Sequence, residues 1–191
     1  MMFTLTTAAM VGVRYLRLSK TRSFFSKTRP LVVTISGATR SGKSELTRNL
    51  KERLVKTNCC TVTSIHLDDY RAYTLGGVRV VDEHGRRNWE TPNNINFEVL
   101  LRDVKDSIEK KKCADVLLLE GFCVLEKKRV RKMSHVVFHL DISRDQCRER
   151  RRRSKYSHPK KDWTFDQYFD EVIWPAHMKY KNRVYVWYSR I

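Results

Sequence analysis

At 191 residues the chain is one domain's worth, long enough to bury a real core. Hydrophobic residues make up 41% and charged residues 31%, and no apolar stretch approaches the ~20 residues of a membrane-crossing helix, which excludes a helical span. The formal charge of +18 is unusual and asks for an anionic partner: nucleic acid, a membrane surface or nucleotide phosphates.

The first thirty residues hold no Asp or Glu but carry Arg14, Arg17, Lys20, Arg22, Lys27 and Arg29 among many Ser and Thr. This is the composition of a mitochondrial transit peptide; a disordered extension or a misplaced start are the alternatives. The expectation is therefore a cytoplasmic enzyme, or a mitochondrial one through residues 1–30, with that segment outside the fold. The five cysteines, Cys59, Cys60, Cys113, Cys123 and Cys147, contain no CxxC pair and read as reduced thiols.

From Leu31 onward apolar strands alternate with helical segments. Leu31–Ser36 is β-branched and ends at Gly37, which predicts a buried strand. Ser44 to about Lys56 predicts a helix, with Leu46, Leu50 and Leu54 on one face. Thr61–His66 predicts a second strand. Val78–Val81 and Arg86–Trp89 flank Asp82-Glu83-His84-Gly85 as a hairpin. A helix is expected from about Asn94 to Lys111, with Phe97, Leu100, Leu101, Val104 and Ile108 facing a core. Asp115–Leu119 and His135–Leu140 are the third and fourth strands, Arg144–Tyr156 a basic helix, and Ser157–Thr164 a mobile loop. Phe165–Lys181 predicts a helix bent or interrupted at Pro175, and Val184–Tyr188 a fifth strand. The alternation predicts an α/β fold: a P-loop NTPase three-layer sandwich, with a mostly parallel five-stranded sheet, helices on both faces and a small lid at about 148–164.

Gly37-Ala38-Thr39-Arg40-Ser41-Gly42-Lys43-Ser44 matches the P-loop pattern G-x-x-x-x-G-K-[ST] in full, between an apolar strand and a helix. Glycines let successive N–H groups point at one anion, and the helix N-terminus adds partial positive charge. Lys43 is placed to reach the outer phosphates of ATP, and the Ser44 hydroxyl to sit on Mg²⁺. Asp68 and Asp69 follow the second strand, at the sheet edge where open α/β sheets bind ligands. A carboxylate there can accept a hydroxyl proton or hold a metal-bound water. Glu120 ends the apolar run Val116–Leu119, where a metal-side acid belongs. The run Arg148–Arg153, broken only by Glu149, reads as an arginine-bearing lid that neutralises transition-state charge, as a polyanion-binding patch, or as a solvated face. His135 and His139 would lie ~13 Å apart along a strand, too far to chelate one metal. His66 reads as a packing or hydrogen-bonding residue.

With Leu67-Asp68-Asp69-Tyr70, Asn88-Trp89-Glu90-Thr91-Pro92, Leu119-Glu120-Gly121-Phe122 and Tyr168-Phe169-Asp170…Trp174-Pro175 following the P-loop in order, residues 31–180 resemble the nicotinamide riboside kinases, in the uridine-kinase-like branch of P-loop kinases. The resemblance implies transfer of a phosphoryl group from ATP to the ribose 5′-hydroxyl of nicotinamide riboside, a step towards NAD. It makes Asp68 the base and puts Ser44, Asp68 and Glu120 on the Mg²⁺ side. The ATP side comprises Gly37 to Ser44 with Glu45, and Arg150, Ser154 and Tyr156 from the lid. The acceptor side comprises Asp68, Asp69, Tyr70, Arg71, Trp89, Glu90 and Arg151. Trp89 stacks on the pyridine ring, Glu90 holds the 2′- and 3′-hydroxyls, and Arg151 contacts the ribose. The implied partners are ATP and a small nucleoside, with neither nucleic acid nor membrane, as a monomer or a homodimer.

The chain departs from that pattern at Glu90, one methylene longer than the usual Asp, and at Arg71, where an aromatic residue is expected. Ser154 stands in place of a lid arginine, and Phe165-Asp166-Gln167 precedes Tyr168 in place of Pro-Gly. The sequence ends at Ile191 where the family continues with an adenine-side loop and a helix, which is the expectation of a truncated gene product. Two further functions stay open: a kinase for uridine, cytidine or another small molecule such as pantothenate, and a non-catalytic polyanion-binding protein on a degraded kinase fold.

Overall fold

The computed structural model describes residues 12–18, 29–58, 60–71, 88–109, 114–154 and 164–189. The expected hairpin, apart from Asn88 and Trp89, and the lid residue Tyr156 lie outside them. In chain order the elements are β1 (Gly12–Leu18), β2 (Leu31–Gly37), α1 (Lys43–Asn58), β3 (Val62–His66), α2 (Phe97–Glu109), β4 (Val116–Gly121), α3 (Lys128–Met133), β5 (Val136–Asp141), α4 (Arg144–Arg152), α5 (Phe165–Tyr168) and α6 (Trp174–Ser189). Short 3₁₀ turns lie at Leu67–Tyr70, after β3, and at Pro92–Asn94, before α2.

The sheet order is β1-β5-β2-β4-β3, with β3, β4, β2 and β5 mutually parallel. β4 is buried along its whole length and β2 along all but its first residue, as expected for strands covered on both faces. Alternation splits them cleanly. Val33, Ile35, Val116, Leu118, Val136 and Leu140 face Leu46, Leu50 and Leu54 of α1. Val32, Leu117, Leu119 and Val137 face Leu100 and Val104 of α2, Val130 of α3, and Tyr180 and Val184 of α6. This is the expected three-layer sandwich.

Two expectations are corrected. The fifth strand is not Val184–Tyr188, which continues α6 to Ser189. Tyr180, Val184, Trp187 and Tyr188 recur at three- and four-residue spacing and join one core cluster, so helical period wins over the alternating look of the segment. The fifth strand is instead β1, inside the segment expected to lie outside the fold. It pairs antiparallel with β5 from Gly12↔Asp141 to Leu18↔Val136, with a bulge between Tyr15 and Arg17. The helix predicted over Phe165–Lys181 is interrupted, but upstream of Pro175, which lies in the first turn of α6. A π-helical segment at Phe169–Ile173 joins α5 to α6, and the Trp174 N–H donates to the Phe169 carbonyl. Pro175, which has no N–H to give, follows directly.

A buried polar seam ties α6 to the strand feeding the P-loop. The Tyr180 hydroxyl accepts from the Leu125 N–H at 2.9 Å and from the Ser36 hydroxyl at 3.2 Å, and burial keeps that phenol well above its ordinary pKa. Thr34 and Ser134 hydroxyls share a 2.7 Å bond on the same face.

Candidate active site

The site is built at the C-terminal edge of β2, β3 and β4. After Ser36 the backbone turns at Gly37 (φ +145°), passes Arg40 in the left-handed region (φ 57°) and turns again at Gly42 (φ +96°) into α1. A Cβ on Gly37 would stand 2.5 Å from the Leu140 carbonyl oxygen, so only glycine lets β2 run so close to β5. The Lys43 ammonium folds back to donate to the Ala38 carbonyl at 2.7 Å. Burial lowers its pKa, opposed in decreasing order by Glu120, Asp68, Glu90 and Cys147. A half-buried ammonium whose side-chain hydrogen bond among the described residues goes to a carbonyl is poised for an anion.

Glu120 is buried and receives the Ser44 hydroxyl at 3.2 Å on each carboxylate oxygen; His66 Nδ1 lies 3.1 Å from one of them. A serine hydroxyl beside a carboxylate is a hard oxygen donor set that fits Mg²⁺, which keeps most of its waters and phosphate ligands. Among the described residues no three His, Cys, Asp or Glu side chains converge as an all-protein metal cage, and an Mg²⁺ that arrives with ATP needs none.

Beside the P-loop, Asp68 projects from the turn after β3, and Arg71 Nη2 donates to its Oδ1 at 2.7 Å. Arg71 Nη1 donates to the Trp89 carbonyl at 3.0 Å. Trp89 packs against a cluster under α4 that includes Ala38, Cys147, Tyr168 and Phe169, and its N–H donates to the Tyr168 hydroxyl at 3.0 Å. Glu90 is buried, with Arg151 Nη2 at 3.5 Å. Asn88 holds this corner: its side chain accepts the Glu90 N–H at 3.0 Å and its carbonyl accepts from the Asn94 side chain. Gly121 lets β4 pass beneath the Asp68 turn, since a Cβ there would stand 2.3 Å from Leu67 Cβ.

The basic run divides by role. Arg151 donates to the Thr39 hydroxyl at 2.7 Å and Arg150 to the Arg40 carbonyl at 3.4 Å, while the Cys147 thiol lies 3.3 Å from the Thr39 carbonyl. These three dock α4 on the P-loop. Arg148 pairs with Asp166 and Asp170 and lies over the Phe169 ring at 4.9 Å; Arg152 pairs with Asp166 at 2.6 Å and lies over Phe165 at 5.1 Å. They bind α4 to the segment beneath it. Arg153 pairs with Glu149 on the exposed side.

The structure brings the P-loop, Glu120, Asp68, Trp89, Glu90, Arg150 and Arg151 together at this edge of the sheet. The other named residues have these surroundings. Tyr70 donates to Asp103 of α2 at 3.0 Å, its phenol pushed up to about 12 by burial and that bond. Asp69 is exposed, and Glu45 is exposed beside Arg48 at 3.5 Å. The Ser154 hydroxyl donates to the Arg151 carbonyl at 2.9 Å, closing the end of α4. Sequence reasoning missed Asn88, Cys147 and the hydroxyl of Tyr168 as builders of the site, because each acts across the fold.

The AAA domain family model matches residues 33–174. Nicotinamide riboside kinase 2 of Mus musculus is 27% identical over 169 residues, covering 81% of each chain. Uridine kinase of Clostridium tetani is 25% identical over 175 residues, covering 80% of this chain and 81% of its own. Among solved structures, a protein assigned as a fructose transport system kinase from Silicibacter sp. TM1040 superposes with a TM-score of 0.51 at 17% identity, over 70% of this chain and 73% of its own. That likeness concerns the fold.

Proposed function

The chain belongs to the AAA domain family and is a uridine-kinase-like P-loop kinase, and on that premise we propose that it transfers the γ-phosphoryl group of ATP to the 5′-hydroxyl of nicotinamide riboside, giving nicotinamide mononucleotide. The observation that carries this is the gathering of three carboxylates, Asp68, Glu90 and Glu120, from separate segments around the Lys43 ammonium. A phosphate grip alone needs only Lys43 and Glu120. Asp68, linked through Arg71 to the Trp89 carbonyl, and Glu90, next to Trp89 in the chain, would supply an acceptor side with a base and a diol anchor, and Trp89 its stacking surface.

The P-loop N–H groups and Lys43 hold the ATP phosphates, and release of Lys43 from the Ala38 carbonyl lets its charge meet them. Ser44 and Glu120 would hold Mg²⁺, which neutralises and orients the phosphates when bound. Asp68 takes the proton of the 5′-hydroxyl as its oxygen bonds to the γ-phosphorus, and the bond from that phosphorus to the bridging oxygen of ADP breaks. Arg150 and Arg151, already against the P-loop, are placed to meet the charge that develops.

The test is a panel of nucleosides incubated with purified protein and Mg²⁺–ATP. Conversion of nicotinamide riboside to its mononucleotide is expected. Phosphorylation of uridine or cytidine without nicotinamide riboside would overturn the acceptor and keep the kinase. No turnover, together with nucleic-acid binding that weakens steeply with salt, would favour a polyanion-binding protein.

A further inference from the structure

Thr39, third in the P-loop, presents both of its oxygen atoms to α4. Its carbonyl accepts from the Cys147 thiol at 3.3 Å and its hydroxyl from Arg151 Nη1 at 2.7 Å. Cys147 and Arg151 stand four residues apart, about one turn of α4, so one face of that helix grips one loop residue at two points. Burial pushes the Cys147 thiol up to about 11, so at neutral pH it keeps the proton it donates. Arg151 itself lies between two pulls: the Thr39 hydroxyl on one side, and on the other the buried Glu90 carboxylate, 3.5 Å from Nη2. The Arg151 side chain is 15% exposed, and its Nε is buried with no hydrogen-bond partner among the described residues. A buried N–H left unbonded costs free energy until an acceptor arrives, and a phosphoryl oxygen suits a guanidinium N–H well.

We propose that the Thr39 side chain serves Arg151 rather than ATP: its hydroxyl is a positioning group that holds the guanidinium against the P-loop, with Nε left for an oxygen of the phosphoryl group in transfer. This deepens the kinase function above and rests on phosphoryl transfer, not on which nucleoside accepts. Without the hydroxyl, Glu90 is the partner that remains, and opposite charge draws the guanidinium towards that carboxylate and away from the loop. The loop N–H groups and Lys43 are untouched by that change, so the ATP phosphates are held as before. The charge that develops during transfer then meets a displaced cation, and the loss falls on kcat rather than on the KM for ATP.

The experiment measures initial rates of the full chain with Mg²⁺–ATP and whichever nucleoside of the panel above it phosphorylates. Thr39→Val keeps the shape without the hydroxyl, Thr39→Ser keeps the hydroxyl, Arg151→Ala removes the guanidinium, and Thr39→Val with Arg151→Ala closes the cycle. Thr39→Val is expected to lose about tenfold in kcat, with the KM for ATP within about threefold of the natural value. Thr39→Ser should hold kcat within about threefold. Arg151→Ala should lose about 10²-fold, and adding Thr39→Val to it should cost no more than about twofold further, because the hydroxyl then has nothing to position. A further loss of about tenfold in the double variant overturns the proposal, since Thr39 would then act independently of Arg151. So does a loss in Thr39→Ser equal to that in Thr39→Val, or a Thr39→Val effect confined to the KM for ATP; turnover in these cases keeps the kinase function. Absence of turnover with every nucleoside overturns both. Thermal unfolding with and without Mg²⁺–ATP checks each variant's fold. If Arg151→Ala does not fold, Arg151→Gln takes its place in the cycle, and Thr39→Ala does the same for Thr39→Val.

Discussion

His177 on α6 sets an acid limit on stability. Its ring is buried, stacked on His139 with centroids 6.2 Å apart and tilted against Trp174 at 5.2 Å. Burial, helped by His139, Lys181 and Lys43 and opposed by Asp141, lowers its pKa from 6.5 to about 4. The unfolded chain takes up this proton below about 6.5, while the folded chain refuses it until about 4. Between those values the unfolded state binds more protons, so stability falls as pH falls; the contribution is intact above 6.5 and fully lost below about 4. Over the whole window this amounts to roughly 3 kcal/mol, and between pH 7.5 and pH 5 to about 2 kcal/mol. Urea unfolding of the natural protein and of His177→Phe at pH values from 7.5 to 5 measures it. A constant offset between the two reports packing; the difference in slope reports the proton. Parallel curves across that range would refute the argument, because His177 would then titrate alike in both states.

The remaining expectations concern the site and its supports. Asp68→Asn keeps shape but cannot accept the proton, so kcat should fall by about 10²-fold or more while the KM for ATP holds, as initial rates will show. Gly121→Ala drives a Cβ to 2.3 Å from Leu67 Cβ, so it should cost about 2 kcal/mol in denaturant unfolding and displace the turn that carries Asp68. Arg148→Ala should lower stability by about 1 kcal/mol with the KM for ATP unchanged, whereas Arg150→Ala should raise that KM with stability unchanged. Removing residues 1–18 strips β1 from β5 and should lower Tm by roughly 4–8 °C, a loss of about 2 kcal/mol visible by calorimetry; an unchanged Tm would make β1 dispensable.

The parallel core was legible because its strands are continuous β-branched or leucine runs and its helices carry leucines at four-residue spacing. Both signals are local. The two errors come from segments whose local signal points away from the role the fold gives them. Val184-Tyr185-Val186-Trp187-Tyr188 alternates like a strand, yet Tyr180 upstream extends a helical stripe, and burial of Tyr180 and Val184 against β2 and β4 decides for the helix. Gly12–Leu18 interleaves arginine with valine, tyrosine and leucine, and its acid-free surroundings drew attention to targeting. Nothing in those seven residues says that β5 has an unfilled edge; only the sheet order does.

The site shows the same division between local and distant information. A P-loop is a single segment whose function resides in its own N–H groups, so its eight residues announce it without help from the rest of the chain. The proposed acceptor side is assembled from the turn after β3, the segment at Asn88–Glu90, α4 and α5, and its members are held by partners far away in sequence. Arg148 to Arg153 look alike in sequence, but α4 sends Arg148 and Arg152 to Asp166 and Asp170, and Arg150 and Arg151 to the P-loop. Those carboxylates already neutralise Arg148 and Arg152, Glu149 pairs with Arg153, and Arg150 and Arg151 face the P-loop, which leaves a polyanion few of the run's cations. Tyr70 and Arg71 show it most directly. They are adjacent, yet the turn directs one to Asp103 in the α2 layer and the other to Asp68 at the mouth of the site. A one-residue change in the direction of that turn would exchange a packing residue for a charge, and the 3₁₀ turn at Leu67–Tyr70 and the bridge to Ile95 are what hold its direction.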